Sequence, residues 1–454
     1  MARFPVHPVH AYRHLRHSGQ LQASPPAVLA GSFLALIALG TILLSLPIAQ
    51  RRPFGLFEAL FTATSSVTVT GMTVIDPSQD LTFFGQAVIL ALIQIGGVGF
   101  MTFAIIAALT LGRRVSLKYQ ALALEAFNQT SVQRIRHTAL TVLKFSVAIE
   151  AAAILVLTLW WWHPEGLKRA FLMAGFHAVS AFNNAGVTLF PDSLAGLTRD
   201  PVSIFVITGC MILGGLGFSV LADLYHSRAW KALAYYSRLI LIGTALLNLT
   251  GLLVFWLIEA RNPGTLGPMP LAQQGLAAWT QVVSSRTSGF AATDVAQLRD
   301  SSRFLLTLLM FIGGGSLSTA SGIKLGTFLV LLATVRAYIL QRKEVVLMYR
   351  TVPQETIQKA LALLVVSGTL VCLGIFLMSL LEDLPFIDIV TEIMSAFSTT
   401  GLSPDLTRRL SPPSQVLLMV LMFIGRLGPL TLVYSLGKQH QSRVRHPEAS
   451  IQIG

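Results

Sequence analysis

The sequence predicts an all-α polytopic membrane protein, with four helix–half-helix–glycine-segment–helix repeats in pseudo-fourfold order around a central pore. Three observations predict it. The 454 residues are 53% hydrophobic and only 12% charged, where a soluble domain carries about 25% charge. Eight apolar runs, roughly 27–49, 84–111, 138–162, 201–224, 239–259, 303–335, 357–381 and 413–436, reach the ~20 residues that a spanning helix needs. Four short polar stretches, each with a central glycine, fall between the two runs of each successive pair.

The first stretch is Ser65-Ser-Val-Thr-Val-Thr-Gly-Met-Thr-Val-Ile-Asp76. The others are Phe182-Asn-Asn-Ala-Gly-Val-Thr-Leu-Phe190, Ser285-Arg-Thr-Ser-Gly-Phe-Ala-Ala-Thr-Asp294 and Phe397-Ser-Thr-Thr-Gly-Leu-Ser-Pro-Asp405. Each glycine is followed within four to six residues by an aspartate: Asp76, Asp192, Asp294 and Asp405. An amphipathic run of about 15 residues precedes each stretch. It is too short to span and reads as a re-entrant half-helix. The second long helix of each unit repeats independently through Gly96, Gly214, Gly313 and Gly425, which lie 24 to 28 residues after Gly71, Gly186, Gly289 and Gly401. Neighbouring Gly97, Gly99, Gly215 and Gly217 read individually as small residues for close helix packing.

The predicted units are pore repeats at 27–114, 138–224, 239–341 and 357–437. Cytoplasmic segments at 1–26, 115–137, 225–238, 342–356 and 438–454 flank and join them. Lys and Arg concentrate in the N-terminus, 112–137, 225–238, 336–359 and the tail, so those segments are read as cytoplasmic, with both termini inside. Arg51 and Arg52 are exceptions on the outer side. This topology accounts for the net charge of +13; nucleic acid is not expected, since no basic residues cluster with stacking aromatics on a soluble module. The run 27–49 is longer than the apolar part of a signal peptide and reads as a retained helix. Cys210 and Cys372 lie in apolar runs, which argues against a disulfide framework. Trp160-Trp-Trp162 reads as an outer interfacial belt.

Polar backbone at membrane depth is tolerated only where protein buries it or where it lines a wet cavity. A half-helix ending at the centre offers its negative dipole end to a cation. Backbone carbonyls can then replace the water shell of an ion, and glycine admits the backbone angles this needs. The aspartates would concentrate cations at the outer mouth. Apart from Arg286 and Arg426, no Lys or Arg near the segments offers a counter-charge to an anion.

These motifs resemble the filter loops of the Trk/Ktr/HKT superfamily of potassium transporters. So do Phe57-Glu-Ala-Leu-Phe-Thr-Ala-Thr-Ser65 and Gly313-Gly-Gly-Ser-Leu-Ser-Thr-Ala-Ser-Gly-Ile-Lys324. With eight runs and no extra N-terminal pair, the chain resembles the KtrB-type membrane subunits. The resemblance implies a K⁺-channel-like fold, potassium uptake across a bacterial inner (plasma) membrane, and no enzyme activity. It implies ion-binding carbonyls at Val69, Thr70 and Gly71; Asn184, Ala185 and Gly186; Thr287, Ser288 and Gly289; and Thr399, Thr400 and Gly401. Glycine in all four copies implies preference for K⁺ over Na⁺; Met72 and Val187 depart from the residues common in the family. The resemblance further implies a homodimer in the lipid bilayer on a separate cytosolic ring of nucleotide-binding regulatory subunits of the KtrA/TrkA type. The chain carries no nucleotide fingerprint of its own.

Gly313, Gly314, Gly315, Ser316 and Ser318 interrupt the sixth run. Three glycines weaken a helix by roughly 1 kcal/mol each, so the segment reads either as a kinked helix or as a loop. The resemblance makes it the gate beneath the filter, with Lys324 a charge at membrane depth. It also places Arg426 opposite the loop, in the cavity below the filter; otherwise Arg426 is structural glue paired with a carboxylate. Arg286 is read as a structural ion pair, with Glu392 as a candidate partner. His177, Asn183 and Glu58 are read as scaffold. A symporter coupling K⁺ to Na⁺ or H⁺ is the alternative within the superfamily, and Na⁺ dependence stays open. A membrane enzyme is the remote alternative, for want of a convergent His/Asp/Cys group.

Overall fold

The computed structural model describes residues 25–98, 132–227 and 229–428. The N-terminal segment, most of the 115–137 linker, the run 84–111 beyond Val98 and the C-terminal tail lie outside the described residues. Among those described the chain is helical, apart from one small hairpin. In order come α1 Pro25–Ser45, α2 Leu56–Val67 and α3 Phe83–Gly97, then α4 Val132–Glu165, α5 Leu167–Phe182, α6 Pro201–Leu216 and α7 Phe218–His226. Next are α8 Tyr235–Glu259, α9 Leu271–Ser285, α10 Asp300–Phe311 and α11 Leu325–Ile339. The hairpin of β1 Val346–Leu347 and β2 Arg350–Thr351 leads to α12 Gln354–Leu381, α13 Phe386–Phe397 and α14 Pro412–Leu427.

Helix starts follow local chemistry. Asp200 accepts from the amides of Val202 and Ser203 and precedes Pro201 at the first helical position of α6, a cap and a proline where neither costs a hydrogen bond. Thr82 caps α3 by accepting from the Gly85 amide. The short helices α2, α5, α9 and α13 have 12, 16, 15 and 12 residues. At 1.5 Å per residue none covers the ~30 Å hydrocarbon layer.

Three described helices are long and apolar enough to cross a membrane: Thr141–Glu165, Tyr235–Glu259 and Gln354–Leu381. Helix α8 shows how they are sided. Leu246, Leu249, Leu253 and Leu257, at helical spacing, are 57–63% exposed. Gly243, Thr244, Asn248 and Gly251 face inward. An apolar stripe with no protein against it fits lipid, with the small and polar residues turned to the bundle.

Two predicted spans are not single helices. The run 201–224 bends by 101° between α6 and α7, at Gly217 with φ +97°. The run 303–335 breaks into α10 and α11 around a loop from Ile312 to Lys324. Apolar composition alone could not reveal either break. The tryptophan belt is also corrected: Trp161 is buried and its Nε1 donates to Ser203 Oγ at 2.8 Å, while Trp160 and Trp162 are about half exposed. Both cysteines are free.

The repeated helix glycines have a steric reason. A Cβ on Gly96 would lie 2.0 Å from the Val67 carbonyl oxygen; on Gly214, 1.9 Å from that of Phe182; on Gly425, 1.8 Å from that of Phe397. Helices α3, α6 and α14 therefore each rest on the C-terminal carbonyl of the helix before them, α2, α5 and α13. Gly425→Ala must push that carbonyl away. It should lower stability by about 1–3 kcal/mol, read as a fall in the melting temperature of the detergent-solubilised protein. Gly368→Ala on α12, where a Cβ meets nothing within 4 Å, should leave stability unchanged or raise it by up to about 1 kcal/mol.

Candidate functional site

The short helices α2, α5, α9 and α13 all end in the same backbone turn. The residue two before each glycine has positive φ: Val69 at 58°, Asn184 at 60°, Thr287 at 69° and Thr399 at 49°. The glycines are also positive, at 86°, 66°, 80° and 93° for Gly71, Gly186, Gly289 and Gly401. For β-branched Val69, Thr287 and Thr399 this conformation is a true outlier, costing about 1–3 kcal/mol each. Backbone bonds hold it. The amides of Thr70, Ala185 and Thr400 each donate 2.8 Å to the carbonyl five residues back, at Ser65, Ser180 and Ser395; in the third segment Ser288 and Gly289 both donate to Ser284. Hydroxyl pairs at matching positions brace two segments, Thr68 with Thr70 at 2.8 Å and Ser398 with Thr400 at 2.9 Å.

The segments touch in a closed cycle. A Cβ on Gly71 would lie 2.0 Å from the Ala185 carbonyl oxygen, and on Gly186 2.6 Å from that of Ser288. On Gly289 it would lie 2.1 Å from that of Thr400, and on Gly401 2.1 Å from that of Thr70. The residue before each glycine thus offers its carbonyl to the previous segment's glycine. Any side chain at these four positions is excluded by both angle and space.

The loop Ile312–Lys324 lies against these segments. Its backbone is bonded on several sides: Gly315 N to Gly215 O at 2.8 Å, Thr319 N to Gly214 O at 3.2 Å, and Phe218 N to Leu317 O at 3.0 Å. Asn184 Nδ2 donates to Thr319 Oγ1 at 2.8 Å, and Ser288 Oγ donates to Asn184 Oδ1. The Ser316 amide donates to the Tyr236 hydroxyl at 2.7 Å. Ser318 Oγ donates to Gly315 O at 2.7 Å, and Lys324 Nζ to Ala320 O at 2.5 Å. Gly313 and Gly314 sit where a Cβ would strike Ser321 O at 1.7 Å and Gly215 O at 2.2 Å.

Arg426 joins this loop to α3. Its NH1 donates to Thr319 O at 2.5 Å and to Ser321 Oγ at 3.4 Å; its NH2 donates to Gly96 O at 2.8 Å and Gly97 O at 3.2 Å. All these partners are neutral. Arg286 departs from expectation. It donates to Asn248 Oδ1 at 3.2 Å and Gly313 O at 2.9 Å, not to Glu392, which accepts instead from Ser403 and Thr407 hydroxyls. Arg286 and Glu392 lie on elements whose spacing in sequence carries no information on which side of a segment each falls.

The aspartates differ among themselves. Asp76 caps its own turn through Ser78 N at 2.9 Å, and Asp294 accepts from Ala296 N at 2.9 Å. Asp192 and Asp405 are exposed. His177 is scaffold, bonded to Met173 O and Thr188 Oγ1. The contact of Asn184 with the loop was missed in the sequence. Its signal was an amide where the other segments carry Val or Thr.

A sequence profile of the TrkH family, described as cation transport proteins, matches residues 9–444. The chain is 43% identical over 431 residues to the Ktr system potassium uptake protein B of Bacillus subtilis, covering 95% of this chain and 97% of that one. It is 38% identical to the protein of the same name from Vibrio alginolyticus, over 94% and 95% of the two chains. The potassium/sodium uptake protein NtpJ of Enterococcus hirae is 33% identical over 95% and 97%. The crystal structure of the potassium transporter TrkH from Vibrio parahaemolyticus superposes with a TM-score of 0.72 at 18% identity, over 93% of this chain and 86% of that one, so the two share a fold. The chain belongs to the TrkH family of cation transport proteins.

Proposed function

We propose that this protein takes up potassium ions across the bacterial plasma membrane, through a single pore lined by its four glycine segments. The observation that carries the reading is the closed cycle of glycines and carbonyls, each segment with the same two left-handed residues. Alternating left-handed and ordinary residues turns successive carbonyls to one side, and carbonyl rings can replace the hydration shell of K⁺. The ion-binding carbonyls are those of Val69 to Gly71, Asn184 to Gly186, Thr287 to Gly289 and Thr399 to Gly401. Four short helices ending there each contribute about half a negative charge at their C-termini. No covalent chemistry is involved.

The four pore repeats are 27–114, 138–224, 239–341 and 357–437, related by a pseudo-fourfold axis, with both termini cytoplasmic. The Asp76, Asp192, Asp294 and Asp405 end is the outer mouth. The loop from Gly313 to Lys324, pinned by Arg426, is the gate. Two relatives are named as protein B of a Ktr system, which supports a separate regulatory subunit on the cytosolic side; a homodimer of this chain is part of the same proposal. The name of the Enterococcus hirae relative includes sodium, which makes Na⁺ the first co-ion to examine.

Expression in cells stripped of their own potassium uptake systems should restore growth at low K⁺; assays with and without Na⁺ decide whether Na⁺ is required. Protein present in the membrane but unable to restore growth in either medium would defeat the reading.

Selectivity gives a second expectation. Gly71→Ser adds a side chain where a Cβ lies 2.0 Å from Ala185 O, so the first segment must spread. Relative Na⁺ permeation should rise by about tenfold, the effect of ~1.4 kcal/mol, read from reversal potentials in mixed ions. An unmoved reversal potential would remove Gly71 from the filter.

The gate gives a third. Arg426→Ala removes both the hold on Thr319 O and a positive charge from the path. K⁺ flux in liposomes should rise about 5-fold or more, the lower end of ordinary coupling energies. Unchanged flux in a variant of lowered melting temperature would make Arg426 a structural residue only.

A further inference from the structure

Glu150 lies within the membrane-spanning part of α4 and is 6% exposed. A carboxylate at that depth is costly and usually functional. Its partners are two amides. Gln94 Nε2 on α3 donates to Oε2 at 3.2 Å, and Asn183 Nδ2 donates to Oε1 at 3.3 Å. Asn183 Nδ2 also donates to Gln94 Oε1 at 2.7 Å and to Val179 O at 2.9 Å. Asn183 is fully buried, yet its Oδ1 has no hydrogen-bond partner among the described residues.

Among the described residues no cation pairs with this carboxylate. The described part of α3 carries no titratable side chain. From α6 the titratable neighbour is Cys210, an uncharged thiol whose electrostatic partner is Glu150. Helix α5 brings His177, already bonded to Met173 O and Thr188 Oγ1, and Lys168 and Arg169 in its first turn. Helix α7 brings Asp223, Tyr225 and His226 at its far end. On α4 itself, Lys144 lies nearly two turns away, and His163 and Glu165 at the C-terminus.

Amides suit a group that changes its protonation. An amide offers N–H to a carboxylate and, after a half-turn, C=O to a carboxylic acid. An arginine can serve only the first. When Glu150 gains a proton on Oε2, Gln94 can turn and accept that O–H. Its NH₂ then faces Asn183, which can turn in response and accept with Oδ1, the atom now left without a partner. The acid proton and the Gln94 amide thus keep partners in both states, while Asn183 gives up its bonds to Glu150 Oε1 and Val179 O and so moves.

Asn183 is linked to the loop through two neighbours. It precedes Asn184, whose Nδ2 holds Thr319 of the loop. Its Oδ1 lies where a Cβ of Gly97 would come within 2.0 Å, and the Gly97 carbonyl accepts from Arg426. We propose that Glu150, with the amides of Gln94 and Asn183, is a proton-binding site behind the second glycine segment, and that its occupancy biases the loop Gly313–Lys324. The second half rests on the potassium-uptake reading; the first half does not.

Two measurements on the full-length protein separate these halves. Infrared difference spectra between about pH 5 and about pH 9, the span over which buried carboxyls titrate, should contain a protonated-carboxyl C=O band that Glu150→Gln removes. In liposomes the wild-type K⁺ flux should change by about 5-fold or more over the same range. Glu150→Gln, which mimics the protonated acid, should be flat at the wild-type low-pH rate. Glu150→Asp should keep a step with a displaced midpoint and a displaced band; if the Gln variant does not fold, this displacement decides. A band unaltered in the variants overturns the proton site. A band lost while the flux keeps its pH step overturns the link to the loop. Absent K⁺ flux at every pH, with the band present and lost in Glu150→Gln, would sink the transport reading and leave the proton site standing.

Discussion

The structure depends on one constraint: backbone that ends inside the bundle must find partners there. Each short helix ends inside the bundle, where an unpaired carbonyl costs several kcal/mol in a hydrocarbon setting; the turn that follows takes up carbonyls of the last turn, at Ser65, Ser180, Ser284 and Ser395. The long helices approach closely enough to cover those ends because glycine occupies the contact, at Gly96 over Val67, Gly214 over Phe182 and Gly425 over Phe397. Only then can the following residues take up left-handed angles that Val69, Thr287 and Thr399 would otherwise avoid. Strain of this kind persists where surroundings over-determine it. Here the surroundings are the i−5 backbone bonds and the neighbouring segment's carbonyl.

The third unit breaks the pattern. A Cβ on Gly313 would meet Ser321 O at 1.7 Å, within its own loop, rather than the end of α9. The long helix here is interrupted, so it cannot cover that end as the other three do. Arg286 reaches from the end of α9 to Gly313 O and Asn248 Oδ1. The freed segment folds inward onto Gly214, Gly215, Tyr236 and Arg426. A helix–helix contact is thus replaced by a loop held by bonds from α6, α8 and α14.

Much of this was legible because it rests on residue type at fixed spacing. The four glycines, their matching helix glycines and the three-glycine run could each be read from the sequence. The three glycines leave the break after Phe311 open between a kink and a loop, and the bend at Gly217 is not legible at all, because apolar composition is the same for a straight span and a broken one. Left-handed angles at Val69, Thr287 and Thr399 run against residue preference, so local sequence argues against them; tertiary contact decides. The pairing of Arg286 was misread for a related reason. A buried arginine suggests a carboxylate, but carbonyls at an interrupted helix serve equally well as acceptors and are invisible in the sequence. Glu150 and Gln94 sit 56 residues apart, and nothing in either helix marks them as neighbours.

The choice of neutral acceptors for Arg426 has a consequence that a carboxylate partner would remove. Bonds to Thr319, Ser321, Gly96 and Gly97 satisfy most of its donors without cancelling its charge. A cation about 8 Å away still feels roughly 2 kcal/mol of repulsion at an effective dielectric of 20. The loop supplies half of Arg426's acceptors, so withdrawal of the loop releases the guanidinium as well. On the proposed reading of this loop as the gate, steric obstruction and electrostatic barrier belong to one arrangement, and any group that shifts Thr319, from Asn184 on one side or Arg426 on the other, acts on both together.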